Sequence, residues 1–399
     1  METFNAAVLA RPLPTGDFMP QLSANALAIP ASGIRRIYEL ASELDDVIQL
    51  SIGEPERPVA KHILDAGASA WNADVTHYTP NSGMALLRSA IAAKLERDNH
   101  YRVDDDQIHV TSGGSQALHM AMSLTLTAGD EILIPDPGYA TFTMIPRLLG
   151  AVPVPYHLAA EEEFQPSISH LERCITPRTK VLLINSPSNP LGVVFSAEKL
   201  TELLQFAARH DLWVISDEVY EYFTFSRAFT SVASLDTDGR VFSVYSVSKT
   251  YGLTGGRVGY LVTPPGVAST FRAAQEATVS CVNAPAQLAV VAALDGPQDY
   301  VHEARAHYGA NVEAACATLD QRGIPYQRPQ GAFYIWIDVS HVSGGDVAAW
   351  AEHFLLTARV AVAPGVAFGQ AGEGWIRICA AGKTEPLLEA IKRLPSVTS

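Results

Sequence analysis

Apolar positions along this chain fall into two rhythms. Between about residue 60 and residue 280, stretches with an apolar residue every three or four positions alternate with short solid runs of Val, Ile and Leu. The first rhythm predicts helices at 60–72, 84–98, 115–127, 138–149, 197–210 and 266–280. The second predicts strands at 107–111, 131–134, 152–156, 180–185, 213–216, 241–245 and 259–262. Short, uniformly apolar strands separated by helices describe a mostly parallel sheet covered by helices on both faces. Beyond about 285 the texture changes to a long helical stretch (285–320), an alternating strand (332–337), and then helix 345–357, strands near 359–363 and 375–379, and helix 384–393. Ahead of the main block, 33–44 reads as a helix and 47–52 as a short strand ending at Gly53. The expected fold class is therefore α/β: a large domain (48–285) plus a smaller α+β domain built from 31–47 and 286–399. Residues 1–30, rich in Ala, Pro and small polar residues, read as an N-terminal arm.

Composition narrows the class. An apolar share of 48% and a charged share of 18% are those of a soluble globular protein. A net charge of −14 with no basic block argues against a nucleic-acid surface. No apolar run approaches a membrane span, and the first residues lack a charged, apolar leader. Cys174, Cys281, Cys316 and Cys379 are widely spaced, as reduced thiols in a cytoplasmic protein would be. The acidic runs 104–106 and 161–163 read as solvated turns, so no metal site is expected.

The candidate chemistry sits where strands give way to loops, which is where open α/β sheets bind ligands. The stretch 246–259 holds Ser246, Ser248, Lys249 and Arg257 between two apolar strands. Burying a lysine disfavours its cation, so such an amine tends to be nucleophilic. The serines and the guanidinium suit a phosphate. A lysine able to form an imine beside a phosphate cradle suggests pyridoxal 5′-phosphate, which carries both an aldehyde and a phosphate. Gly113, Gly114 and Ser115 end one strand and open a helix whose free N–H groups would also suit phosphate. Asp217 ends another strand and needs a cationic or N–H partner if buried; a pyridinium nitrogen is one and a helix N-terminus is another. Asn189, before Pro190, is by default a turn former, but its amide could donate to a phenolate oxygen.

Taken in order, Gly-Gly-Ser, Tyr139, Asn-Pro, Asp-x-x-Tyr, Ser-x-Ser-Lys and Arg resemble the fold type I, class I/II aminotransferases, from about Gly53 to Arg377. The resemblance implies pyridoxal phosphate as cofactor and roles for single residues. Lys249 would be the Schiff-base lysine and the base that moves the proton at Cα. Asp217 would pair with the ring nitrogen, Asn189 and Tyr220 would donate to the ring oxygen, and Tyr139 would stack on the ring. Gly113, Gly114, Ser115, Ser246, Ser248 and Arg257 would hold the phosphate, joined by Tyr78 reaching from a neighbouring subunit. Arg377 would clamp the substrate carboxylate beside the Gly53 backbone. A homodimer with shared active sites follows, acting on an amino acid and a 2-oxo acid, 2-oxoglutarate being the expected acceptor.

Three positions depart from that pattern. Gly256 stands where relatives often carry tryptophan, Leu191 where threonine is usual, and Ser115 where some acidic-substrate relatives carry lysine. These leave open a different reaction on the same scaffold: elimination, cyclisation, decarboxylation or oxidation of an amino acid. A cofactor-binding regulator would need a DNA-binding segment, and the first 30 residues are too short and insufficiently basic to supply one.

Overall fold

The computed structural model describes residues 20–397. All seven strands expected between residues 60 and 280 form, and together they build one sheet: β1 (Ile108–Thr111), β2 (Glu131–Asp136), β3 (Val152–His157), β4 (Thr179–Asn185), β5 (Trp213–Asp217), β6 (Val241–Ser246) and β7 (Gly259–Val262). Their order is β1-β7-β6-β5-β4-β2-β3. Every neighbouring pair is parallel except those made by β7, which runs against both β1 and β6. β2, β4, β5 and β6 are buried almost throughout, as the unbroken apolar runs required. Helices cover both faces. Helix Gly114–Thr125 buries Leu118 and Met122 against Ile215 and Val244 on one, and helix Ala197–Arg209 buries Leu203 and Phe206 against Leu182 and Val214 on the other.

A second sheet follows: β8 (Tyr326–Gln327), β9 (Tyr334–Asp338), β10 (Ala363–Pro364) and β11 (Trp375–Cys379), antiparallel in the order β10-β11-β9-β8. Helix Gly33–Ser42 sends Ile37 and Ala41 into a cluster with Ile335, Ile376, Leu355 and Leu387, so this early segment packs with the C-terminal part. Ile48–Gln49 pairs parallel with Val360–Ala361 for the same reason.

Two expectations need correction. The helical stretch 285–320 is two helices, Ala284–Asp295 and Asp299–Gln321, because Gly296-Pro297 removes both a side chain and an N–H donor at the break. The first packs on helices Lys61–Asn72 and Ala85–Lys94 through Val290 and Ala293, beside the large sheet. The strand expected over 359–363 is two short pieces, which serve different sheets. Of the arm, residues 1–19 lie outside the described residues. The described remainder carries a short helix, Ala24–Leu27, tied to the large body where Asn25 Nδ2 donates to the Leu148 carbonyl at 3.3 Å. Among the described residues no helix is long and apolar enough to cross a membrane, and all four cysteines are free thiols.

Candidate active site

Parallel register brings Asn185 beside Asp217, and Asp217 beside Val244, so the carboxyl ends of β4, β5 and β6 line up along one edge. β7 runs the other way, and its first residue, Gly259, faces Ser246 on one side and Thr111 on the other. The loops that leave this edge enclose a cavity of about 470 Å³, within the usual range of small-molecule sites. Gly53, Gly114, Ser115, Tyr139, Asn189, Asp217, Tyr220, Ser246, Ser248, Lys249, Arg257 and Arg377 all line it. These residues span the chain from Gly53 to Arg377, and the sheet edge is what gathers them.

Lys249 sits in the short helix Val247–Thr250, capped by Ser246, whose Oγ accepts the Ser248 N–H at 3.2 Å. Its Nζ donates to the Gly53 carbonyl at 2.6 Å. Burial lowers its pKa from 10.5 to about 8, and nearby Arg377 and Arg257 push the same way. Asp217 is its opposite. It is buried at the end of β5, and among the described residues the hydrogen bond it accepts comes from the Val219 N–H at 3.4 Å. Burial therefore drives its carboxyl up to about 7, and adjacent Glu218 adds to the rise. A buried carboxylate in this state gains a great deal from a cationic N–H partner.

Arg377 lies on β11 and is 2% exposed. Its Nη1 donates to Asn189 Oδ1 at 3.0 Å and its Nη2 to the Ser51 carbonyl, while its buried Nε has no partner. Its guanidinium carbon lies 4.3 Å from the centre of the Tyr334 ring and 4.9 Å from that of Phe368. Among the described residues no carboxylate pairs with it within 4 Å. A buried guanidinium held by aromatic faces and neutral acceptors is prepared for an anion. Because Asn189 Oδ1 accepts from Arg377, its amide NH₂ is left to donate elsewhere. The Asn189 turn is itself fixed by Asn185, whose Oδ1 accepts the Asn189 N–H at 2.9 Å and whose Nδ2 donates to the Asp217 carbonyl at 3.1 Å.

Two glycines are required by close approach. A Cβ on Gly113, which has φ +80°, would stand 2.5 Å from Arg257 Nη2; one on Gly53 would stand 1.9 Å from the Tyr334 hydroxyl. Arg257 adopts a left-handed backbone (φ 51°) that turns the chain into β7. Its guanidinium donates to the Thr254 carbonyl at 3.0 Å and the Ser112 carbonyl at 3.4 Å, so it lies against the backbone that opens helix Gly114–Thr125. Tyr220 is buried and its hydroxyl meets that of Tyr334 at 2.7 Å.

Tyr78 stands apart. It is 92% exposed and lines a separate surface hollow with Thr76, His77 and Pro80. Of the three departures, Ser115 lines the main cavity, Leu191 is buried in the apolar core, and Gly256 lines a neighbouring hollow with Trp71 and Cys281. Sequence reasoning missed Tyr334, Thr254, Met144, Ile34 and Arg35, all of which line the cavity. A signal existed for Tyr334: it begins the alternating strand β9, which pairs with the strand carrying Arg377.

An amine of lowered basicity, a buried carboxyl, and a buried guanidinium without a counter-charge define an enzyme that works on an anionic substrate carrying a carbonyl or an amine. The chain belongs to the family described as aminotransferase class I and II, whose pattern matches residues 45–394. It is 38% identical over 371 residues to an aspartate aminotransferase of Pyrococcus abyssi, covering 92% of this chain and 95% of that one. It is 36% identical over 381 residues to aromatic-amino-acid aminotransferase 2 of Thermococcus litoralis, covering 94% and 98%. The fold superimposes on the Thermus thermophilus aspartate aminotransferase solved with maleate, with a TM-score of 0.89, 32% identity and coverage of 94% and 99%.

Proposed function

We propose that the protein transfers the amino group of an L-amino acid to a 2-oxo acid, 2-oxoglutarate being the acceptor, with pyridoxal phosphate as its cofactor. The cavity residues fit that group. Asp217 is a buried carboxyl short of a cationic partner, which a basic ring nitrogen would supply. Gly114 with Ser115, Ser246, Ser248 and Arg257 offers N–H, hydroxyl and guanidinium donors, the donor set a phosphate needs; the Gly113 N–H is taken by the Thr111 carbonyl at 2.8 Å, and that glycine's part is to leave room for Arg257. When bound, pyridoxal phosphate supplies an aldehyde for the substrate amine and a ring that spreads the charge left at Cα.

The chain's own residues do the rest. Arg377 takes the α-carboxylate through its unpartnered face and so orients the bonds at Cα. Lys249, with a pKa near 8, is neutral in a useful fraction of molecules just above neutral pH; it can add to a carbonyl and later carry the Cα proton. Asn189 and Tyr220 would donate to the ring oxygen, Tyr139 would cover the ring face, and Gly53 would leave room beside the carboxylate. Tyr78 would serve the phosphate of a second subunit, making a homodimer with shared sites. We also propose that the chain works as two bodies: a large one around the seven-stranded sheet, and a smaller one formed by 31–47 and the C-terminal part.

The observation that carries this reading is the placement of Lys249 and the uncompensated Arg377 in one cavity with Asp217. The test is to load the enzyme with cofactor, add single amino acids with no 2-oxo acid, and follow the cofactor spectrum. Transfer predicts conversion to the amine form, one equivalent of 2-oxo acid product, and then a halt until 2-oxoglutarate is added. Continued turnover without an acceptor would instead indicate elimination, cyclisation, decarboxylation or oxidation. Lys249→Ala should stop conversion in either case.

A further inference from the structure

Among the described residues, the cavity is lined by four cationic side chains, Arg35, Lys249, Arg257 and Arg377, against a single carboxyl, Asp217. On the reading above, three of the cations have tasks: Lys249 with the carbonyl, Arg257 with the phosphate and Arg377 with the α-carboxylate. Arg35 has none. We propose that Arg35 is a specificity-determining residue that binds the distal carboxylate of a dicarboxylic substrate such as glutamate or 2-oxoglutarate; the proposal rests on that reading.

Helix Gly33–Ser42 argues for this. Its N-cap is Ser32, whose Oγ accepts the Arg35 N–H at 3.3 Å, which fixes Arg35 in the first turn. A cation there meets the positive end of the helix dipole and is unfavourable to the helix itself. Its neighbour Arg36 is in the same turn but is neutralised by Glu352 on helix Val347–Ala358, with Nη2 donating to Oε2 at 3.0 Å. Consecutive residues point about 100° apart around a helix, so Arg36 turns to Glu352 while Arg35 lies with Ser32 and Ile34 on the cavity side. Arg35 pairs with no carboxylate among the described residues; its guanidinium carbon sits 5.5 Å from the centre of the Tyr38 ring, one turn along. The cation is exposed and uncommitted, so an incoming carboxylate has no ion pair to break.

The cavity also has apolar lining. Ile34, Leu118, Met144 and Tyr139 contribute it, and they suit an aliphatic or aromatic side chain. Ser115 presents only a hydroxyl. The same mouth therefore offers two kinds of contact, and Arg35 is the part that distinguishes a dicarboxylate from an apolar substrate.

The experiment compares the cofactor-loaded enzyme with Arg35→Gln, using glutarate and pentanoate as non-reacting ligands and L-glutamate and L-phenylalanine as donors. Loss of one charged hydrogen bond predicts that glutarate binding and the glutamate half-reaction fall by about 10- to 100-fold. Pentanoate and phenylalanine should change by no more than about 3-fold, and Arg35→Lys should recover part of the loss. Equal losses for both classes, or none for glutarate, overturn the proposal. If neither amino acid reacts with the unsubstituted enzyme yet glutarate still binds through Arg35, amino transfer fails and the dicarboxylate subsite stands.

Discussion

At the scale of single residues, Lys249 shows a site working against stability. Its pKa in the folded protein, about 8, lies below the 10.5 of an exposed lysine. Below pH 8 both folded and unfolded chains carry the proton, and the folded chain bears the full cost of a buried cation. Between 8 and 10.5 only the unfolded chain keeps it, so stability rises with pH through that window as the cost is relieved. The gap corresponds to about 3 kcal/mol. Cofactor-free Lys249→Met should then be more stable than the parent at pH 7 by up to about 3 kcal/mol in urea melts, with the difference shrinking by pH 10. An advantage that grows with pH would contradict this. Gly53→Ala tests the opposite kind of constraint. Its Cβ would fall inside the Tyr334 hydroxyl, so we expect a loss of about 1–3 kcal/mol in stability and lower kcat/KM; Gly53→Ala with Tyr334→Phe should recover little, since the ring carbons also lie within 2.8 Å. Lys249, Asp217 and Asn189 were legible in the sequence because residue type and a position at or just beyond a strand end together constrain what each can do; Arg377, in the middle of β11, was reached only through the family resemblance. Arg35 was not, because nothing local distinguishes a cavity-lining arginine from one on a surface helix, and Tyr334 was legible only as part of an alternating strand, since its pairing with the strand of Arg377 exists only in the fold.

At the scale of elements, the inner strands of the large sheet were readable because burial on both faces leaves no choice but solid apolar runs, while β3, at the sheet edge and largely uncovered, was readable from its valines alone. What the periodicity could not show is how a helix ends. The predicted helix 84–98 is an α-helix, Ala85–Lys94, followed by a π-helical turn, Leu95–Asn99. That turn closes on a buried ionic cluster. Lys94, 1% exposed, donates to Asn99 Oδ1 at 2.7 Å and to Glu221, while Asn99 Nδ2 donates to the other Glu221 oxygen at 2.6 Å. Glu221 lies just beyond β5, so the cluster ties this helix to the strand end that carries Asp217. Removing one partner leaves the other charge buried, at a typical cost of about 3–5 kcal/mol. Lys94→Met should therefore lower stability by roughly that amount, whereas Lys94→Met with Glu221→Leu should lose much less, as measured by denaturant midpoints at equal m-values. If the double variant is as unstable as the single one, the helix packing rather than the charge pair holds this junction.

At the scale of the whole molecule, one chain's cavity gathers every sequence-named residue except two, Gly113, whose missing side chain leaves room for Arg257, and Tyr78. The latter shows where a linear reading and a single chain part company. Resemblance placed Tyr78 at a phosphate, yet its ring is 92% exposed, and Trp71 is 57% exposed. Tyr78 lines a surface hollow of its own, and Trp71 lines another that also includes Arg257. Large aromatic rings left in water at such a rim are costly for a solitary chain and ordinary at a subunit contact. A second copy of the chain would cover them and bring Tyr78 to the partner's phosphate site. The chain should therefore sediment as a dimer. Tyr78→Phe should remain dimeric but bind pyridoxal phosphate about 2- to 10-fold more weakly, the value of one hydroxyl hydrogen bond, in a titration followed by cofactor absorbance. Cofactor affinity should also fall when the parent enzyme is diluted below its dimer dissociation constant, because each phosphate then loses the hydroxyl contact supplied by the other subunit. Affinity unchanged by both the substitution and the dilution would mean that each chain holds its cofactor alone.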